Sequence, residues 1–261
     1  MTDFENECAV YRDDPTSHLH RHERFIAAVN ATPWLKAHRD FVEQHVLGMG
    51  ERSFHWMWKL LVEEMPTEFR FLEIGVLMGQ VVSLVPWIAR NTGKTCFAMG
   101  ITPLSSFAGP NTPPHWDNDY WAKIRFLHDH FEQPVYNGWK EWGYAPDYAP
   151  RGGCASIAKG DSTEEHSVRC AQTASPFDIV YIDGCHEYDY VVKDIRNYAP
   201  LVRKGGFLVI DDASCRLKMW NGSFPGIESV CDAIADELDP DDRFEHRLAV
   251  MHNRVWQRVG G

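Results

Sequence analysis

From Phe71 onward the apolar residues gather in short, nearly unbroken runs, each followed by a polar or glycine-bearing turn and then by a stretch with helical spacing. Such runs predict buried strands at 70–75, 95–101, 154–159, 177–182 and 206–210, with helices near 79–91, 117–131, 162–172, 187–199 and 226–238. Strands that are apolar on both faces and joined through helices make a parallel sheet covered on both sides. The tail changes period. Residues 244–251 and 254–259 alternate across a short break at Asn253, which predicts an antiparallel hairpin closing one sheet edge.

Upstream, helices are predicted from Trp34 to about Val46 and from Ser53 to Met65. In the second, Phe54, Met57, Trp58, Leu61 and Val62 recur on a 3.6-residue period. Residues 1 to about 16 read as a loose polar terminus. The organisation expected is an N-terminal helical extension over 1–66 and an α/β domain over 67–261, interrupted at about 103–153. That interruption carries Pro103, Pro113, Pro114, Trp116, Trp121, Trp139, Trp142 and Tyr144, and it is too long for an ordinary linker. It can serve as an aromatic lid over a ligand crevice or as an interaction surface.

The length of 261 residues suits one large α/β domain with decorations. Acidic side chains outnumber basic ones 37 to 26, a formal charge of −11, and no compact Lys/Arg stretch offsets that field. Phosphate neutralisation needs clustered cations, so nucleic acid is not an expected partner. The acidic opening Met1-Thr2-Asp3-Phe4-Glu5 lacks the basic and apolar regions of a secretory signal, and no apolar run approaches bilayer length, so no membrane association is expected. The seven cysteines are scattered without a CxxC pair, which fits reduced thiols in a cytoplasmic protein. Self-association through the N-terminal helices or the aromatic insertion is the protein partner to consider.

Chemistry is expected at the carboxyl ends of the strands, where open parallel sheets form their ligand crevice. The first predicted strand runs into Glu73-x-Gly75-x-x-x-Gly79, where Gly75 permits close backbone approach and Gly79 tight entry into the next helix. This is neither the dinucleotide spacing G-x-G-x-x-G nor a phosphate-cradling P-loop. Glu73 would repel a pyrophosphate but suits a cationic or amine-bearing ligand. Asp183 ends one predicted strand and Asp211-Asp212 end the next. Adjacent strands lie about 4.8 Å apart, so the three carboxylates can meet on one cation. An oxygen set without thiols suits Mg²⁺, with Mn²⁺ as the alternative. Helix or turn capping is the competing role for any one aspartate. His186, three residues beyond Asp183, can take a hydroxyl proton, which makes Asp183 and His186 the candidate catalytic pair; direct metal ligation is the other role open to His186.

Phe71-Leu72-Glu73-Ile74-Gly75 through Gly79 resembles the first motif of class I S-adenosylmethionine-dependent methyltransferases. The resemblance continues through Gly160-Asp161-Ser162, Phe177 to Tyr188 and Pro200 to Asp212, and covers roughly residues 70 to 238. These segments together are similar to the metal-dependent small-molecule O-methyltransferases of the macrolide-sugar and cephalosporin type, and more distantly to the catechol type. The resemblance implies a Rossmann-like α/β fold with a seven-stranded, mostly parallel sheet whose last strand is reversed. It also implies S-adenosylmethionine across the ends of the first strands, with Gly75 near its methionine part, Glu73 tuning the surroundings, and Asp161 and Ser162 near the adenine. Thr102 stands where the family usually places an acidic residue for the ribose hydroxyls. A hydroxyl there lacks charge-assisted hydrogen bonding. In the nearer relatives a histidine fills the position of His186.

The activity expected is metal-dependent methyl transfer from S-adenosylmethionine to a hydroxyl of a small molecule such as a sugar, polyketide or phenol. Another metal-assisted reaction on the same fold, which Thr102 keeps open, and a non-catalytic interaction protein are the alternatives.

Overall fold

Successive residues of the central strands point into two different cores. Phe71, Ile179, Tyr181, Phe207 and Val209 share one buried cluster, while Leu72, Ile74, Val180, Ile182, Leu208 and Ile210 share another. A pleated strand sends neighbours to opposite faces, so near-continuous apolar runs require a covering layer on each side. The computed structural model describes residues 1–14, 18–104, 119–137, 153–214 and 227–261, and both layers lie within them.

The strands are β1 (Glu68–Ile74), β2 (Thr95–Thr102), β3 (Val135–Asn137), β4 (Gly153–Lys159), β5 (Phe177–Ile182), β6 (Val202–Ile210), β7 (Phe244–Val250) and β8 (Asn253–Arg258). They form one sheet in the order β3-β4-β2-β1-β5-β6-β8-β7. β1 to β6 pair in parallel, whereas β8 runs antiparallel to β6 and β7. The class I methyltransferase arrangement and its terminal hairpin are therefore present. Among the described residues the sheet has eight strands rather than seven, because three-residue β3 pairs with the edge of β4. Three residues are too few for an alternation pattern to announce a strand.

Helices α5 (Gln80–Asn91), α6 (Tyr120–His130), α7 (Glu165–Ala174), α8 (Tyr188–Tyr198) and α9 (Glu228–Glu237) lie close to the predicted positions. α7, α8 and α9 cover one face. The other is covered by α5 together with α1 (Asp3–Asp13), α2 (His18–Ala31) and α4 (Arg52–Glu63), and α3 (Pro33–His45) packs alongside them. The N-terminal helices thus share the core of the sheet.

The expectation of a loose terminus over 1–16 is corrected: residues 3–13 are helical. Thr2 caps α1 by accepting from the Glu5 N–H at 3.2 Å, and Phe4 and Cys8, one turn apart, are buried against the sheet. The Phe4 ring meets Phe207 edge-on at 5.0 Å. Two apolar residues make too narrow a stripe to stand out in the sequence, yet burying a phenylalanine contributes about 1.5–3 kcal/mol. Among the described residues Cys8, Cys96, Cys154, Cys170 and Cys185 are free, but Cys231 is disulfide-bonded. That corrects the expectation of seven reduced thiols, which rested on the absence of a short-range cysteine pair. Among the described residues no helix is long and apolar enough to cross a membrane. Most of the aromatic insertion, and with it the expected lid, lies outside the described residues.

Candidate active site

Three strand ends converge because their hydrogen-bond ladders continue past the last strand residue. The Gly75 N–H donates to Ile101 O at 2.9 Å, Asp183 N–H to Ile74 O at 2.8 Å and Asp211 N–H to Ile182 O at 3.0 Å. Asp183 and Asp211 are thereby fixed side by side. Gly75 (φ +94°) and Gly79 (φ +91°) adopt backbone conformations that favour glycine. The space beside Gly75 is filled by the backbone of Asp183 and Gly184, and that beside Gly79 by Ile124 of α6. Both glycines are thus demanded by the protein's own packing.

His186 joins the two acidic turns. Its Nδ1 lies 3.2 Å from Asp212 Oδ2, and its Nε2 lies 3.7 Å from Asp183 Oδ1, an electrostatic contact too long for a good hydrogen bond. Tyr181, two residues before Asp183 and on the same face, donates its hydroxyl to Asp183 Oδ2 at 3.1 Å. Trp58 of α4 meets the Tyr181 ring edge-on at 5.1 Å. A second histidine, His252, comes from the turn between β7 and β8. Its Nδ1 is 2.8 Å from Asp211 Oδ1 and 3.1 Å from Asp212 Oδ1. The next residue, Asn253, donates to Asp211 Oδ1 at 2.7 Å. Asp212 itself has φ +50°, a left-handed conformation that aspartate tolerates better than most residues.

The carboxylates differ in proton affinity. Burial, and then the neighbouring Asp211 charge, push Asp183 up to about 7, against the contacts from His186 and Tyr181. Burial would also raise Asp211, but His252 brings it below the usual carboxylate range. His186 is raised by Asp183 against the effect of burial, with Asp212 and Asp211 adding to the rise. A partly buried set of carboxylates with unequal proton affinities is the environment in which acid–base or metal chemistry is arranged.

Asp211, Asp212 and His252 each offer a ligand atom within 4.8 Å of the others, a candidate metal-binding cluster. Asp183 adjoins it across His186. Of the residues expected to bind metal, two fall in this tightest group and the third lies beside it. His252 was not among them, and neither were Tyr181 and Asn253. The one sequence signal for His252 is its place in a hairpin turn beside the sheet edge.

At the end of β1, Glu73 stands opposite Tyr181 across the β1/β5 ladder and is almost fully buried. Burial and then the Asp183 charge raise it well above a normal glutamate, against a backbone hydrogen bond from Val82. Its Oε2 has no hydrogen-bond partner among the described residues. An orphaned buried carboxylate oxygen fits a cationic or ammonium-bearing ligand. Thr102 is buried at the end of β2, where its hydroxyl accepts from the Leu104 N–H at 3.3 Å. Asp161 Oδ1 accepts from the Thr163 N–H at 2.8 Å and hydroxyl at 2.7 Å, which shapes the turn holding Ser162. The Tyr198 hydroxyl anchors that turn from below, donating to Ser162 O at 2.5 Å.

Residues 72–213, which span all of these strand ends, match the family model described as a methyltransferase domain. The chain belongs to this methyltransferase family. An 88-residue stretch of this chain is 32% identical to the 8-demethyl-8-(2-methoxy-α-L-rhamnosyl)-tetracenomycin-C 3′-O-methyltransferase of Streptomyces olivaceus. That match covers 34% of this chain, and the chain spans about a fifth (21%) of that curated relative. Among solved structures, an O-methyltransferase from Bacillus cereus in complex with SAH superposes with a TM-score of 0.54 at 13% identity, over 90% of this chain and 96% of the other. A TDP-rhamnose 3′-O-methyltransferase of calicheamicin biosynthesis gives 0.51 at 14% identity, over 93% and 94%. At these identities the shared property is the fold.

Proposed function

We propose that this methyltransferase moves the methyl group of S-adenosylmethionine to a hydroxyl of a small molecule, with a divalent cation at the acidic cluster. The observation that carries the reading is the backbone contact between the Gly75 turn and Asp183, which sets a cofactor-type turn directly beside the His186–Asp212–His252 network. A bound divalent cation supplies Lewis-acid polarisation of the acceptor oxygen. His186, held between Asp183 and Asp212, would receive the hydroxyl proton, and S-adenosylmethionine would supply the methyl group. No covalent enzyme intermediate is needed, so positioning and electrostatics carry the acceleration. Asp211 and Asp212, with Asp183 beside them, would hold the cation. Glu73 would receive the cofactor's ammonium on its orphaned oxygen, with Gly75 and Gly79 shaping the turn. Thr102 would meet the ribose, and Asp161 and Ser162 the adenine.

The named chemistry of the relatives, 3′-O-methylation of rhamnosyl groups, favours a sugar hydroxyl over a phenol or polyketide hydroxyl as acceptor. Thr102, in place of a ribose-binding carboxylate, supports a second reading: a methyltransferase-like fold running another metal-assisted reaction. A library of hydroxylated acceptors with S-adenosylmethionine and metal, read by mass spectrometry for a gain of one methyl group, tests the first. Transfer only to nitrogen or carbon would overturn O-methylation. Failure of folded, metal-loaded protein to bind S-adenosylmethionine or S-adenosylhomocysteine in calorimetry would favour the second.

A further inference from the structure

Asp194 stands on the buried face of α8 with Val191, Val192, Ile195 and Tyr198, and it is fully buried. Neither of its carboxyl oxygens completes a hydrogen bond among the described residues. Buried polar groups are normally paired, and an unpaired carboxyl on an apolar helix face lowers stability. Burial pushes the group up to about 7, against the Ser162 hydroxyl, which is near enough to act on the charge without closing a well-formed bond. The Asp161 charge adds to the rise.

The carboxyl lies beneath two turns from different strands. A Cβ added at Gly184, in the turn between Asp183 and His186, would lie 3.1 Å from Asp194 Oδ2. Ser162, in the turn after β4, brings its hydroxyl toward the same carboxyl. One turn further along α8, the Tyr198 hydroxyl donates to Ser162 O at 2.5 Å. α8 therefore holds Ser162 at its carbonyl through Tyr198 and meets its hydroxyl through Asp194, while the same carboxyl packs under Gly184. Packing alone does not call for an acid here, because an apolar side chain of similar shape would fill the space without the desolvation penalty. Only a side chain with an acceptor can set the direction of the Ser162 hydroxyl.

We infer that Asp194 is a positioning residue that fixes the Ser162 hydroxyl and the Gly184 backbone relative to one another, and so couples the turn at Asp161 and Ser162 to the turn that carries Asp183 and His186. The inference rests on the reading that the Asp161–Ser162 turn receives the adenine of S-adenosylmethionine. A group that weakens the fold is then kept for ligand affinity, so its removal moves stability and affinity in opposite directions.

The test uses the full chain, with S-adenosylhomocysteine as the probe in calorimetry and urea denaturation of the same preparations. Asp194→Leu should hold or raise the urea midpoint and weaken the probe by about tenfold, the scale of one lost hydrogen bond. Asp194→Ala, which removes the acceptor without adding bulk, should weaken it to the same extent. Asp194→Asn keeps an acceptor for the Ser162 hydroxyl and should bind like the wild type. With no ligand present, amide hydrogen exchange in Asp194→Leu or Asp194→Ala should quicken at residues 160–163 and 183–186, while the strands keep wild-type protection. Wild-type affinity in a folded Asp194→Leu or Asp194→Ala overturns the inference. A parallel fall of urea midpoint and affinity in both overturns it too, because that is the signature of ordinary packing. A wild type that does not bind S-adenosylhomocysteine counts against the cofactor reading, and the exchange comparison then decides the role of Asp194: unchanged rates at the two turns overturn it.

Discussion

The Cβ that Gly75 lacks would lie 1.9 Å from the carbonyl oxygen of Asp183. The Gly75 turn and the acidic turn are therefore packed backbone on backbone, and neither can shift without the other. Gly75→Ala should lose roughly 3 kcal/mol or more of stability, because a left-handed φ costs about 1–3 kcal/mol before the clash is counted. Gly93→Ala is the control: its φ is also positive (+74°), but nothing lies within 4 Å of the added carbon. Urea denaturation should place Gly93→Ala well above Gly75→Ala. Equal losses would show that the contact with Asp183 is unimportant.

Tyr181→Phe removes the hydroxyl that reaches Asp183 at 3.1 Å and leaves the ring against Trp58. Stability should change by about 1 kcal/mol, the net value of one hydrogen bond. Turnover should fall by about tenfold or more, as for other outer partners of catalytic ligands. The KM for S-adenosylmethionine should be unchanged, and a shift in KM without a fall in kcat would contradict a positioning role.

Asp211→Asn keeps the size of the side chain and removes a charge from the cluster. Divalent-cation affinity and activity should both drop, while the melting curve retains its single transition. Unaltered metal dependence of turnover would exclude Asp211 as a ligand.

Three histidines are fully buried between α3, α4, α5 and α6. His38 Nδ1 faces His55 Nε2 at 3.0 Å, and His38 Nε2 faces the Ser83 hydroxyl at 3.3 Å, which donates to Gln133 Oε1 at 2.8 Å. Every proton in that chain is assigned with both imidazoles neutral. Burial pushes His38 and His128 down to about 3 and His55 well below its ordinary value. The unfolded chain binds these protons near pH 6.5, so stability is complete above that pH and falls as pH drops toward 3. Each histidine contributes up to about 1.4 kcal/mol per pH unit in that window. His128 has no hydrogen-bond partner on either nitrogen among the described residues. His128→Leu should therefore flatten the fall of urea midpoints between pH 7 and 5 without lowering the midpoint at pH 7. An unchanged slope would sink this account.

What the sequence determined by itself was whatever is local. Strands buried on both faces write themselves as short apolar runs, and a chain leaving such a strand must place its next polar residues at the crevice. Asp183, His186, Asp211 and Asp212 could therefore be located from their neighbours along the chain, as could the terminal hairpin. Glu73 was legible for the same reason, although only burial beside Asp183 shows how strongly its carboxyl is shifted. What the tertiary structure alone decided is whatever depends on distant segments meeting. α1 is a helix because Phe4 finds Phe207, and isolated helices of its length are marginal in water. His252 and Asn253 looked like hairpin residues until β8 paired with β6 and carried the turn to Asp211, some forty positions earlier in the chain. Gly75 suggested room for a ligand, but its missing Cβ is needed by Asp183. In each case the deciding contact is between residues far apart in sequence, and a periodic pattern records only which side of an element is buried, not what it is buried against.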